Sequence, residues 1–186
     1  VRPVLIAIGG LSGTGKSKVA MAVGARLGCD PGAIIAQSDA MRKFIHGRAP
    51  GERLPLEAYS EDATRRTYAK VMDVAFFVLP TGYSVILDAV FARPEERAAC
   101  EAVAKAHEIP FIGIWLEAPL EIRRARVGAR VNDVSDADVE VATRQETYAL
   151  GDLTWTRIDA SGTFEKTRDR VLAQLAKAGV ALADVG

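Results

Sequence analysis

The segment that most constrains the fold of this 186-residue chain is a glycine-rich loop between a short apolar run and an amphipathic stretch. The loop, Gly10-Leu11-Ser12-Gly13-Thr14-Gly15-Lys16-Ser17, fits the pattern G-x-x-x-x-G-K-[ST]. Residues 4–8 before it are continuously apolar, as a parallel strand buried on both faces requires. Residues 16–27 after it carry apolar side chains at helical spacing. This context predicts a strand, a tight loop and a helix in direct succession.

Such a loop suits the binding of a nucleoside triphosphate, most simply ATP with Mg²⁺. Small residues let successive backbone N–H groups surround phosphate oxygens, and the following helix directs its positive end at them. Lys16 is expected to bridge the β- and γ-phosphates, and the Ser17 hydroxyl is expected to bind Mg²⁺. The predicted phosphate-binding residues are Gly10, Ser12, Gly13, Thr14, Gly15, Lys16 and Ser17.

Strand and helix patterns alternate along the whole chain. Strands are predicted at residues 4–8, 33–36, 84–88, 111–116 and 157–159. Helices are predicted at residues 16–27, after Ser38-Asp39, and at residues 61–79, 94–107, 120–130, 136–150 and 164–177. This order predicts one α/β domain over residues 1–186, with a five-stranded parallel sheet, helices on both faces and a lid at about residues 119–150. Since the chain lacks an initiator Met, it is also expected to be part of a longer protein.

Composition narrows the function classes. Lys and Arg number 24 and Asp and Glu number 24, so the net charge is zero. A polyanion-binding domain usually has a basic excess, which disfavours nucleic acid as the main partner but leaves a local basic groove open. Cys29 and Cys100 lack metal-ligand spacing and are too few for a disulfide framework, which favours reduced thiols in a cytosolic protein. No apolar run reaches membrane-spanning length.

The remaining motifs favour a small kinase over other nucleotide-binding classes. Recognition of guanine by a regulatory GTPase needs Asn-Lys-x-Asp, and the sole asparagine, Asn132, lies in another context. A transporter-type ATPase needs a second Ser-Gly-Gly signature, which is missing. A kinase needs a carboxylate near the acceptor hydroxyl, a neighbouring arginine and an arginine-bearing lid.

Two acidic residues follow predicted strands. Asp39 lies just after the second strand, where open α/β sheets bind ligands, and is expected to be the general base for the acceptor hydroxyl. Arg42, three residues on, is expected to contact the transferring phosphate or the acceptor. The alternative for Asp39 is a helix N-cap. Asp88 ends the third strand and is expected to hold Mg²⁺ through water, with a structural cap as its alternative.

Arginines supply the remaining site residues. Arg93 and Arg97 either reach the acceptor or coat the surface. Arg126 and Arg130 are four residues apart and are expected to clamp the β- and γ-phosphates from a lid that is followed by a polar hinge at residues 132–135. The alternative is a solvated basic helix face. Residues 158–162, with Asp159, form either a rim for the adenine ring or an ordinary strand exit.

Together these stretches resemble the P-loop kinases of the polynucleotide-kinase, zeta-toxin and gluconate-kinase kind. They resemble more closely the AAA-type ATP-binding domain fused behind aminoglycoside-phosphotransferase-like domains in bacterial proteins. The resemblance rests on residues 5–17, 38–43, 88–94, 115–119 and 158–162. It implies a P-loop NTPase fold with sheet order 2-3-1-4-5, ATP as donor, a hydroxyl acceptor, Asp39 and Arg42 as base and phosphate contact, and Arg126 and Arg130 in the lid.

Three functions follow as hypotheses. The first is a cytoplasmic kinase that transfers the γ-phosphate of ATP to an alcohol on a small molecule. The second is a polynucleotide kinase acting on 5′-hydroxyl ends, which the neutral charge disfavours. The third is a nucleotide-sensing or ATPase module that regulates a fused or partner domain.

Overall fold

The chain folds around a single parallel sheet. The computed structural model describes residues 2–28, 30–129 and 139–183. The strands are β1 (Leu5–Gly10), β2 (Ile34–Gln37), β3 (Val85–Asp88), β4 (Phe111–Glu117) and β5 (Thr156–Asp159). All neighbouring strands pair in parallel, in the order β2-β3-β1-β4-β5. The order and the number of strands predicted from the sequence are confirmed.

The helices connect these strands on both faces of the sheet. They are α1 (Lys16–Gly24), α2 (Ser38–Ile45), α3 (Glu61–Val78), α4 (Pro94–Ala106), α5 (Leu120–Gly128), α6 (Val139–Arg144) and α7 (Phe164–Lys177). Short 3₁₀ turns cover Leu56–Tyr59, Leu79–Thr81 and Gln145–Thr147. No helix in the described ranges is long and apolar enough to cross a membrane.

Two helices are shorter than predicted. Helix α1 ends at Gly24, because the Gly24 carbonyl accepts from Ala33 N at 2.9 Å and from Leu27 N, which turns the chain towards β2. Within the described part of the helix predicted at residues 136–150, α6 covers Val139–Arg144 and a 3₁₀ turn follows at Gln145–Thr147. The predicted hinge at residues 132–135 and Arg130 lie outside the described residues.

The core lies on both faces of β1, as its continuous apolar run requires. Ile6 and Ile8 pack in one cluster with buried residues of α1 and α7. Leu5 and Ala7 face the other way and pack in a second cluster with residues of α3 and α4. Alternate residues of the strand thus bury opposite faces. The domain therefore has three layers, with the sheet in the middle.

The carboxyl ends of the central strands meet at one edge of the sheet. Ile8 of β1 is in register with Asp88 of β3, and Asp88 is in register with Gln37 of β2. The loops that leave these three strands therefore begin side by side, where open α/β sheets bind ligands.

Candidate functional site

The glycine-rich loop forms a closed turn between β1 and α1. The Leu11 carbonyl accepts from Thr14 N at 3.3 Å and from the Thr14 hydroxyl at 2.9 Å. A Cβ on Gly10 would lie 2.7 Å from the Leu116 carbonyl oxygen and 2.9 Å from the Thr14 hydroxyl. Only glycine fits there. Gly15, at φ +87°, is followed directly by α1, so the free N–H groups of the helix start face the loop, as phosphate binding requires.

The backbone of α5 lies directly against this loop at Gly13. A Cβ on Gly13 would lie 2.5 Å from the Arg123 carbonyl oxygen and 2.7 Å from Arg123 Cα. Gly13 also has φ +90°, in the left-handed region that favours glycine. Gly13 was predicted to let phosphate approach the backbone closely. The structure shows that glycine is also needed there because α5 leaves no space for a side chain.

Both backbone groups of Ser12 are bound by side chains from α5 and from the 3₁₀ turn Gln145–Thr147. Ser12 N donates to Gln145 Oε1 at 2.6 Å, and the Ser12 carbonyl accepts from Arg123 Nη1 at 3.2 Å. Arg123 is fully buried and also forms an ion pair with Glu146. Ser12 was predicted to bind phosphate, but its N–H is engaged by Gln145 here. No role was predicted for Arg123 or Gln145, because no sequence motif marks either residue.

Arg126 connects the phosphate loop to the turn after β5. Its Nη1 donates to the carbonyls of Gly13 at 3.3 Å and Ala160 at 2.8 Å, and its Nη2 donates to Gly162 at 2.6 Å. The guanidinium therefore binds main chain on the β5 side of the loop. The phosphate clamp expected for Arg126 stays a prediction, and its expected partner Arg130 lies outside the described residues.

Asp159 stabilises that same turn. Its Oδ1 accepts from Ser161 N at 2.9 Å, and its Oδ2 accepts from Arg170 Nη1 at 2.8 Å. These hydrogen bonds from Ser161, with that from Arg170, lower the pKa of the Asp159 carboxyl to about 2. The carboxylate thus fixes the shape of residues 158–162, and the adenine rim expected there stays a prediction.

Ser17, Gln37 and Asp88 meet where β2, β3 and α1 converge. The Ser17 hydroxyl accepts from Gln37 Nε2 at 3.0 Å, and Gln37 is in register with Asp88, which is 1% exposed. A hydroxyl and a carboxylate are hard oxygen donors of the kind Mg²⁺ prefers. The described residues contain no group of three or more His, Cys, Asp or Glu that could hold a metal ion by themselves. Gln37 was missed by the sequence analysis.

Asp39 lies in the first turn of α2, two residues after Gln37. The N-cap of this helix is Gln37, so the N-cap alternative for Asp39 is wrong. A carboxylate in a first helical turn is stabilised by the helix dipole. The bond from Gln37 to Ser17 brings this helix start beside the phosphate loop. The two segments that the sequence assigned to donor and base therefore lie at one edge.

Arg42 connects α2 to the segment before and within α3. Its Nη1 donates to the Ala58 carbonyl at 2.6 Å and to the Thr64 hydroxyl at 3.2 Å, and its guanidinium lies 5.0 Å from the centre of the Tyr59 ring. The side chain is buried. It therefore fixes the walls beside Asp39, and its expected contact with phosphate or acceptor stays a prediction.

The loop between β3 and α4 is held by Arg97. This side chain is 3% exposed and donates to the carbonyls of Phe91, Ala92, Leu150 and Asp152. Arg97 therefore neither coats the surface nor reaches an acceptor, because its buried guanidinium is bound to main-chain carbonyls. Arg93, by contrast, is about half exposed and lines a cavity between α3 and α4.

The comparisons with known proteins identify the family. The family model that matches this chain is described as AAA domain (AAA_33), and the match covers residues 5–150. Uncharacterized proteins of Mycobacterium tuberculosis and Mycobacterium bovis are 29% identical over 166 residues. The match covers 88% of this chain and 33% of each relative, so the chain spans about a third of their length.

Solved structures share the fold at low sequence identity. A gluconokinase from Sinorhizobium meliloti 1021 is 19% identical with a TM-score of 0.66, covering 95% of this chain and 94% of that one. The Mycobacterium tuberculosis APS kinase in complex with AMPPNP and APS is 20% identical with a TM-score of 0.65, covering 94% and 98%. A sugar kinase from Janibacter sp. is 18% identical with a TM-score of 0.65, covering 94% and 95%.

Proposed function

The chain belongs to the AAA domain family AAA_33, and on that premise we propose that it is a phosphotransferase that moves the γ-phosphate of ATP to a hydroxyl of a small molecule. The observation that carries the proposal is the bond from Gln37 Nε2 to Ser17 Oγ, 3.0 Å long, which brings the start of α2 beside the phosphate loop. Asp39 then follows on α2, and Arg42 of the same helix donates to Thr64, which lines a cavity of about 330 Å³ between α3 and α4. The kinases of similar fold support the same reaction class.

Each residue has a defined part in this proposal. The loop N–H groups and Lys16 hold the phosphates of ATP, and Asp39 accepts the proton of the acceptor hydroxyl. Ser17 directly and Asp88 through water would hold Mg²⁺, which when bound neutralises phosphate charge. Gln37 orients the Ser17 hydroxyl. We further propose that the reaction takes place in the cytoplasm, where ATP is available.

In this proposal the arginines either neutralise phosphate charge or position other residues of the site. Arg126 holds the loop to the turn that carries Asp159, which we propose forms the adenine rim. On nucleotide binding, Arg126 and Arg130 contact the phosphates from the lid, and Arg42 positions Asp39 and the acceptor side. Each of these contacts brings a guanidinium fork to an oxygen acceptor, the geometry that suits phosphate.

Asp39→Asn tests the assignment. With Mg²⁺ and ATP and a panel of alcohols, we expect wild-type ADP release above the no-acceptor background. The Asn variant should lose this release by roughly 10²–10⁴-fold, because no carboxylate takes the proton. ATP affinity by titration calorimetry should be nearly unchanged. The control is Asp73→Asn, an exposed aspartate on α3 that pairs with Lys70. Persistent turnover in the Asp39 variant would show that the base lies elsewhere.

A second candidate is a nucleotide-sensing module. It is favoured by one finding, that the chain spans only about a third of its mycobacterial relatives. A fused domain would then receive the signal, and ATP would bind without an acceptor. Adding alcohols and a 5′-hydroxyl oligonucleotide to the chain with ATP separates the cases, since the sensor predicts ADP release that no acceptor raises.

A further inference from the structure

A cavity of about 330 Å³ opens between α3 and α4. This volume is at the small end of small-molecule sites, which span about 300–1,000 Å³. It suits one sugar ring and is too small for a nucleic-acid strand. Its lining residues are Glu61, Thr64, Arg65, Tyr68, Ala69, Met72, Arg93, Glu95, Glu96 and Ala99.

The cations of this lining are already paired. Arg65 Nη2 lies 2.8 Å from an Asp62 carboxylate oxygen, and Arg93 Nη1 lies 3.4 Å from Glu61 Oε1. Three glutamates face two arginines in the lining. An anionic ligand would therefore have to displace carboxylates from these arginines, and it would be repelled by the excess of glutamates in the lining.

Two hydroxyl groups that line the cavity each accept a hydrogen bond from a neighbouring N–H group. The Tyr68 hydroxyl accepts from Phe91 N at 3.2 Å, and the Thr64 hydroxyl accepts from Arg42 Nη1 at 3.2 Å. Since a hydroxyl carries one proton and two lone pairs, each keeps its own proton for a ligand oxygen. Phe91 adopts φ +53° and is fully buried, so the position of its N–H, and through it of Tyr68, is fixed by the loop.

Glu96 supplies the matching acceptor. Its Oε2 accepts from Arg93 N at 3.2 Å in the capping box of α4, and its other oxygen remains for a ligand donor. Burial raises the pKa of the Glu96 carboxyl. Burial also raises the pKa of the Tyr68 phenol, with Glu96 and Asp39 adding to the effect and Arg42 opposing it. Arg42, three residues after Asp39 on α2, donates to the Thr64 hydroxyl of this lining, which connects the cavity to the helix that carries the proposed base.

We infer that this cavity is the acceptor subsite, and that it selects a hydroxyl-rich molecule that is uncharged or cationic over an anionic one. The inference rests on the proposed function and adds the substrate class to it. Tyr68 and Thr64 donate to ligand oxygens, and Glu96 accepts from a ligand O–H or N–H. An N–H⁺ group gains most from Glu96, because hydrogen bonds between charged groups are the stronger ones.

The test compares five acceptor probes with Mg²⁺ and ATP, read as kcat/KM from ADP release. They are glucose and myo-inositol (neutral), glucosamine (cationic), and gluconate and glucose 6-phosphate (anionic). Neutral or cationic probes should exceed the anionic ones by roughly tenfold or more, the effect of one charged hydrogen bond. Glu96→Gln keeps the acceptor for Arg93 N and removes the charge. It should lower kcat/KM for glucosamine roughly tenfold and change that of glucose little.

Glu165→Gln, an exposed glutamate in the first turn of α7, is the matched control, and thermal unfolding checks that each variant folds. Saturation-transfer NMR of the same probes in the presence of ADP reports binding without turnover. Higher turnover or tighter binding of the anionic probes would overturn the inference and leave the proposed kinase standing. Selective binding of neutral or cationic probes without ADP release would support the inference and refute the kinase. No binding of either class would overturn the inference.

Discussion

Replacing Gly13 by alanine tests the contact between the phosphate loop and α5. The new Cβ would lie 2.5 Å from the Arg123 carbonyl oxygen, 2.7 Å from its Cα and 2.8 Å from its Cβ. Two of these atoms are backbone, so relief requires α5 or the loop to move. Overpacking of this kind costs about 1–3 kcal/mol. The backbone adds about 1–2 kcal/mol, because alanine at φ +90° lies in the left-handed region.

Gly15→Ala and Gly47→Ala separate the two contributions. Both positions have positive φ, +87° and +62°, and a Cβ at either would meet nothing within 4 Å. They should lose only the backbone part, about 1–2 kcal/mol. Urea denaturation without nucleotide should therefore show Gly13→Ala about 1–3 kcal/mol less stable than both controls. For a chain of this size each kcal/mol lowers the melting temperature by about 2–4 °C. Equal losses in all three variants would refute the packing of α5 on the loop.

Three further predictions concern residues that hold the site together. Gln145→Leu leaves the buried Ser12 N–H without an acceptor and should cost about 1–3 kcal/mol in urea denaturation. Gln145→Glu keeps an acceptor and should cost less. Equal losses in the two variants would contradict the hydrogen bond from Ser12 N to Gln145. Arg97→Met removes the donor to four carbonyls and should cost about 3 kcal/mol, against less than about 1 kcal/mol for Arg93→Met at the surface. Because burial raises the pKa of Glu96, the folded state favours its protonated form, and the contribution of Glu96 to stability should fall as pH rises through the carboxyl range. The melting temperature of Glu96→Gln should therefore exceed that of wild type by more at about pH 7 than at about pH 4, and a pH-independent difference would contradict this.

The sheet could be predicted from the sequence because its strands carry their own signal. β1 is a continuous apolar run, and the sequence of loop and helix after it admits few topologies. The end of α1 could not be predicted in the same way. It depends on the Gly24 carbonyl accepting from Ala33 N, a contact that periodicity does not encode. The prediction of helix boundaries fails where tertiary hydrogen bonds replace the next helical turn.

The site residues also fall into those that a motif predicts and those that depend on tertiary packing. Lys16, Ser17 and Asp39 follow strand ends, so topology brings them to one edge of the sheet. Gln145 and Arg123 contact Ser12 from more than a hundred residues away along the chain, through side chains that no motif marks. Sequence reasoning finds groups that chemistry requires at a fixed spacing. It misses those whose role depends on how two distant segments pack.

The contacts of α5 limit how the lid predicted at about residues 119–150 could move. Arg123 binds the Ser12 carbonyl, Gln145 binds the Ser12 N–H, and Arg126 binds the Gly13 carbonyl and the turn after β5. A rigid displacement of α5 would break all of these bonds, and it would move backbone that lies against Gly13 with no space for a methyl group. Helix α5 is therefore part of the wall of the phosphate loop. A motion of the predicted lid that kept these bonds would have to leave α5 and Gln145 in place.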